Sequence, residues 1–301
     1  MRLAPLLLLT AACASAQLKG IIDIHVHTDP DTVPRKVDAI DAARLARDAG
    51  MRGLLLKNHY TPTTQLAYAV NKAVGGIEMF ASITLNLAVG GLNPEAIARA
   101  AQTRGGNLKL VWMPTYDAEN QVRYSKEQRA HIVLARDGRL LPETIEALRA
   151  IAHYKLALAT GHASGGEAVL LARAAREMGI DRVVITHPLY NVVNMNRQQM
   201  KEAVEAGAYL ELCANQVLPT VPAEKRSDFA EYVSTIRIFG AEHCILSGDL
   251  GQPHHPVQTE GWKQFLAMLK HAGVTDVEID IMARRNPARL LDLASPTAGR
   301  K

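Results

Sequence analysis

The stretch Ile21-Ile22-Asp23-Ile24-His25-Val26-His27-Thr28-Asp29-Pro30-Asp31 opens as an apolar strand and ends in imidazoles and carboxylates. A chain that holds a nucleotide on an open doubly wound sheet would instead run from its first strand into a glycine-rich phosphate turn. This stretch therefore sets that rival fold aside. Side chains alternate across a strand, so the spacing predicts that Asp23, His25 and His27 share one face and that Ile22, Ile24 and Val26 share the other. Two imidazoles at i and i+2 on one face are able to hold a single metal ion.

Outward from this strand, short apolar runs alternate with helical patterns along the chain. Strands are predicted at Ile21–His27, Gly53–His59, Met79–Asn86, Leu108–Thr115, Leu156–His162, Arg182–His187, Ala208–Asn215 and Cys244–Asp249. Between them, apolar stripes such as Phe229, Tyr232, Val233 and Ile236, or Trp262, Phe265, Leu266 and Leu269, recur at helical spacing and mark core faces. Eight strand-helix units in 301 residues predict the α/β class and a (β/α)8 TIM barrel. One connection is too long: residues 116–141 carry Ile132-Val133-Leu134, Asp137-Gly138 and Leu140-Leu141, the signal of a hairpin inserted after the fourth strand. On a barrel this insertion lies at the active-site end. Its Arg123, Tyr124, Arg129 and His131 read either as parts of a lid or as a solvated hairpin surface.

A barrel brings the ends of its strands to one rim, and several end in metal-binding donors. His162 ends the fifth, His187 the sixth and Asp249 the eighth. The second ends Leu56-Lys57-Asn58-His59, where Lys57 and His59 share an inward parity. An ammonium has no lone pair, so Lys57 is carbamylated, deprotonated, or off the metal, either beside the ligands or bound to an anionic substrate group, or else part of a structural ion pair. His59 reads as a substrate-binding donor, a further ligand or a structural histidine. Glu211 and Asn215 share parity on the seventh strand, Glu211 deep enough to be structural, while His254 and His255 fall in a Pro-flanked loop typical of surface histidines.

With Asp23-x-His25-x-His27 after strand one, histidines after strands five and six, aspartate after strand eight and a terminal Asn286-Pro287-Ala288-Arg289-Leu290-Leu291, the chain resembles the amidohydrolase superfamily of metal-dependent hydrolases. The resemblance implies that His25, His27 and Asp249 hold the more buried metal and that His162 and His187 hold a second, more exposed one. Many binuclear members place a carbamylated lysine or a glutamate after strand four. Here that strand ends Val111-Trp112-Met113-Pro114-Thr115 and its Lys109 comes too early. Some relatives place the bridging residue on strand two, which points to Lys57.

Composition agrees with a globular chain: 48% hydrophobic, 21% charged and a net charge of +4 from 34 basic and 30 acidic residues mixed along the sequence, with no nucleic-acid footprint. Arg2, the apolar run Leu3–Leu9 and Ala14-Ser15-Ala16 have the layout of a signal peptide over residues 1–16, leaving residues 17–301 as one exported domain, periplasmic or secreted, without a membrane span. Lipid attachment at Cys13 is the lesser alternative, because Thr10 stands where such a box usually has leucine. Cys213 and Cys244 are placed on neighbouring strands about five residues out of step, too far for a disulfide.

The expected activity is metal-assisted hydrolysis of an amide, lactam, lactone or ester in a small molecule, with one or two divalent ions, Zn²⁺ first among them, and Asp249 as catalytic base. A mononuclear decarboxylase or lyase, and an exported barrel that binds without turnover, are the alternatives. A homo-oligomer is compatible with all three.

Overall fold

The computed structural model describes residues 18–294. The signal-peptide reading of residues 1–16 and the Cys13 alternative lie outside the described residues.

Eight parallel strands run in the order β1 (Ile22–Val26), β2 (Gly53–Leu56), β3 (Glu78–Thr84), β4 (Leu108–Trp112), β5 (Ala157–Ala159), β6 (Val183–Ile185), β7 (Tyr209–Cys213) and β8 (Cys244–Ser247). The ring closes where Asp249 N donates to His25 O at 2.8 Å and His27 N donates to Leu250 O at 2.9 Å. This is the predicted (β/α)8 barrel. The strands are shorter than their apolar runs, so the last residues of each run, including every donor at the rim except His25, sit in the connecting turns.

Two apolar layers hold it together. Ile24, Leu55, Phe80, Trp112, Ala159, Val184 and Ile245 fill the inside of the barrel, while Leu54, Leu56, Met79, Ile83, Leu158, Leu210 and Leu246 pack outward against the helices. No helix among the described residues is long and apolar enough to cross a membrane. The last helix, Asn286–Leu290, is tied to the barrel by the buried Asn286, whose Nδ2 donates to the carbonyls of Ala241, Glu242 and Cys244 at 2.9, 3.2 and 2.8 Å.

The first strand corrects the sequence reading. Its pairing with β2 slips between Asp23 and Val26, a bulge that places Ile24 and His25 in succession on the inside. Ile22 and Ile24 therefore face inward, and Asp23 faces outward, where it accepts from Trp262 Nε1 at 2.7 Å, Gly248 N at 2.9 Å and His25 N at 3.1 Å. Asp23 is not beside the candidate ligands but behind them, pinning the first strand to the eighth. Burial pushes its carboxyl up to about 6.

The insertion forms the expected hairpin in short form, Ala135–Arg136 against Arg139–Leu140 with Asp137 and Gly138 both at positive φ. Its four singled-out side chains lie on a solvated surface. Arg123 pairs with Glu119 and Arg129 with Asp117 and Glu127, Tyr124 is 53% exposed, and His131 lies exposed near Glu119. Cys213 and Cys244 are free, as expected. Ser247 pairs with Cys213 and Cys244 with Leu210, an offset of three residues rather than five, which at about 3.3 Å per residue is still beyond disulfide reach.

Candidate metal centre

The six predicted metal ligands and His59 converge at the rim. His25 Nε2 and His27 Nε2 stand 3.0 and 3.1 Å from the same oxygen, Asp249 Oδ1. These three donors all lie within 4.8 Å of one another. The ring of His187 lies 6.1 Å from that of His25 and 5.0 Å from that of His162. Lys57 reaches in from the second strand, its Nζ 2.9 Å from His25 Nε2 and 4.0 Å over the Trp112 ring. His59 stacks on His27 at 5.0 Å. Together with Tyr116, Tyr190, Asn215 and His255, most of these residues line a cavity of about 540 Å³ open to solvent.

Local backbone explains how the ligands are aimed. His187 and Asp249 have φ of 27° and 46°, left-handed backbone that a non-glycine residue adopts at a cost of order 1–3 kcal/mol. Gly161 precedes His162 at φ 62°, and a Cβ there would stand 2.3 Å from Met113 O, so the turn that presents His162 requires glycine.

The electrostatics favour a cation. Burial holds His27 and His187 down to about 4, and it holds His162 well below the ordinary imidazole value, so all three are neutral with a lone pair available near pH 7. Burial also works against charge on His25, but the Asp249 carboxylate beside it raises its pKa. Burial raises Asp249 in turn, and His25 and His27 more than offset this and hold it well below the carboxylate range. His25 Nε2 faces Asp249 Oδ1 and Lys57 Nζ at once. One proton on Nε2 satisfies the carboxylate but leaves a lysine ammonium without an acceptor, and a cation held by the two Nε2 atoms and Oδ1 would require Lys57 to be uncharged or anionic. Among the described residues the buried Nδ1 atoms of His27 and His187 have no hydrogen-bond partner.

The other two imidazoles are held from behind. Glu211, 0% exposed, takes His25 Nδ1 at 3.0 Å and is itself held by Ser247 Oγ at 2.7 Å. A carboxylate on the far nitrogen turns the near one toward a metal and raises its basicity. Glu211 is thus more than a deep structural residue. Gln121 Oε1 takes His162 Nδ1 at 2.7 Å, and Asn120 Nδ2 donates to His162 O at 3.1 Å and Val192 O at 2.8 Å. The insertion does reach the site, through Tyr116, Asn120 and Gln121 rather than through its charged residues. His25, Glu211 and Cys213 also lie close together, and burial pushes the Cys213 thiol well above its ordinary pKa.

Sequence reasoning missed several groups. His255 is not a surface histidine: it is 4% exposed, and its Nδ1 lies 2.8 Å from Thr220 Oγ1. Asn215 Nδ2 donates to Asp249 Oδ2 at 2.9 Å. The parity of Asn215 on its strand was the one available signal. Tyr116, Gln121, Tyr190 and Thr220 come from connections whose course no periodicity encodes.

The sequence matches two families. The "Family of unknown function (DUF6282)" covers residues 20–211, and the "Phosphotriesterase family" covers residues 137–291. No curated protein matches. Among solved structures, an amidohydrolase from Pseudomonas aeruginosa superposes with a TM-score of 0.64 at 10% identity over 93% of this chain and 98% of that one. An organophosphorus hydrolase from Deinococcus radiodurans gives 0.61 at 18% identity over 92% and 93%. A mutant PTE-like lactonase from the same organism gives 0.59 at 16% identity over 92% and 97%. At these identities the superpositions establish the shared barrel.

Proposed function

Because the chain belongs to the DUF6282 family and to the phosphotriesterase branch of the amidohydrolase superfamily, we propose that it is a binuclear metal-dependent hydrolase acting on a lactone or ester bond of a small molecule. The observation that carries this reading is the meeting of His25 Nε2 and His27 Nε2 on Asp249 Oδ1 at 3.0 and 3.1 Å, with His162 and His187 on the same rim. His25, His27 and Asp249 would hold one ion, and His162 and His187 the second, with a carbamate on Lys57 bridging them. Imidazole nitrogens with a carboxylate oxygen suit Zn²⁺.

When bound, such ions lower the pKa of water toward about 7 and polarise the carbonyl under attack. Asp249 divides its two oxygens: Oδ1 faces His25 and His27, and Oδ2, steadied by Asn215 Nδ2, takes the proton of the attacking water. His59 and Tyr116, stacked at 4.1 Å, form one wall of the cavity and hold the substrate.

Lys57 suits the bridging role for two reasons. Among the described residues it makes no ion pair with a carboxylate, and burial pushes its pKa below the ordinary lysine value, toward the neutral amine that attacks carbon dioxide to form a carbamate and release a proton. As an ammonium at 2.9 Å from His25 Nε2 it would instead oppose a cation there. The layout of residues 1–16 supports export of the mature domain.

The test is a panel of γ-butyrolactone, δ-valerolactone, 4-nitrophenyl acetate and diethyl 4-nitrophenyl phosphate. The expected outcome is turnover of a lactone or carboxylic ester that a chelator abolishes and Zn²⁺ restores. Turnover unaffected by chelation, or none on the panel, contradicts the reading.

A further inference from the structure

One wall of the cavity contains a hydrogen-bond chain that fixes which nitrogen of His59 carries its proton. It begins at Asn86, buried at 0% exposure beyond the end of β3. Asn86 Oδ1 accepts from the backbone N–H of Thr115 at 2.8 Å and of Asp117 at 3.3 Å. Backbone amides only donate, so the orientation of this side-chain amide is settled and its Nδ2 must donate. Nδ2 does so twice, to His59 O at 2.9 Å and to Thr115 Oγ1 at 2.8 Å.

Thr115, also 0% exposed, therefore receives one hydrogen bond on its hydroxyl and has one proton to give. Its remaining partner among the described residues is His59 Nδ1, at 2.9 Å. The hydroxyl donates to Nδ1, and the imidazole proton is left on Nε2. The ring is held in place by stacking on His27 at 5.0 Å and on Tyr116 at 4.1 Å.

We infer that His59 is a fixed Nε2–H donor to a substrate oxygen that gains negative charge during hydrolysis, with Thr115 and Asn86 as its positioning residues. This deepens the hydrolase reading and rests on it. It also constrains the substrate, which must present an acceptor oxygen to the His27 side of the cavity. A substrate group that only donates, such as an ammonium, is refused at this nitrogen.

The proton's position is read first, independently of turnover, from the ¹⁵N shifts of the imidazoles in the zinc-loaded, full-length chain, with His59→Gln used to assign the resonance. The expected result is the Nε2–H form in the wild type and loss of that fixed form in Thr115→Val. An Nδ1–H form in the wild type, or an unchanged tautomer in Thr115→Val, overturns the inference even if the chain is a hydrolase. Kinetics on γ-butyrolactone and 4-nitrophenyl acetate then test the donor. The amide nitrogen of Gln occupies the place of Nε2 and that of Asn the place of Nδ1, so His59→Gln should stay within about 10-fold of wild type while His59→Asn loses about 10²-fold or more in kcat/KM. Equal losses in the two variants would overturn the role as donor. A correct tautomer in a chain that hydrolyses neither compound would count against the hydrolase reading and leave the placement of the proton standing.

Discussion

Asp249→Asn is expected to keep much of its bound metal while kcat falls by about 10²–10⁴-fold, the range general base catalysis supplies. The amide keeps an oxygen that can face His25 Nε2 and His27 Nε2, which lie 3.0 and 3.1 Å from Oδ1. It cannot take a proton from water at the second position, where Asn215 Nδ2 now holds Oδ2 at 2.9 Å. If orientation costs the variant some metal, elemental analysis at saturating Zn²⁺ separates that loss from the loss of the base. Near-wild-type turnover at full metal loading removes Asp249 as the base.

Lys57→Ala has the second large effect. The variant is expected to retain one ion at His25, His27 and Asp249, lose the second, and lose about 10²-fold or more of its turnover, since the bridging ligand and half of the centre go together. Added bicarbonate should speed reconstitution of the stripped wild type and leave the variant unchanged. Two ions bound by Lys57→Ala would eliminate the carbamate, and the proximity of Lys57 Nζ to the Trp112 ring, 4.0 Å, would then be the contact of a buried amine.

Much of this was legible in the sequence because the fold does the positioning. Once eight strands close into a barrel, donors at strand ends must share a rim, and His25, His27, Lys57, His162, His187 and Asp249 do. The side a residue faces was less secure. Alternation put Asp23 with the histidines, but one bulge in β1 reversed that without leaving a trace in residue types. Glu211 looked structural for its depth, yet depth is what lets it reach the far nitrogen of His25. The groups that refine the centre were hardest to find. Asn86, Thr115 and Gln121 act through hydrogen bonds whose partners lie 27 to 56 residues away in the chain, and those partners are fixed by loop conformation, which no periodic pattern specifies.

The central claim is that the rim of this barrel holds two metal ions. Elemental analysis of the Zn²⁺-equilibrated chain, dialysed free of excess metal, tests it most directly, with the His162→Ala/His187→Ala double variant measured alongside. The account predicts two ions per wild-type chain and one in the double variant, retained by His25, His27 and Asp249. A wild type that keeps no metal, or a double variant that still keeps two ions, would contradict it.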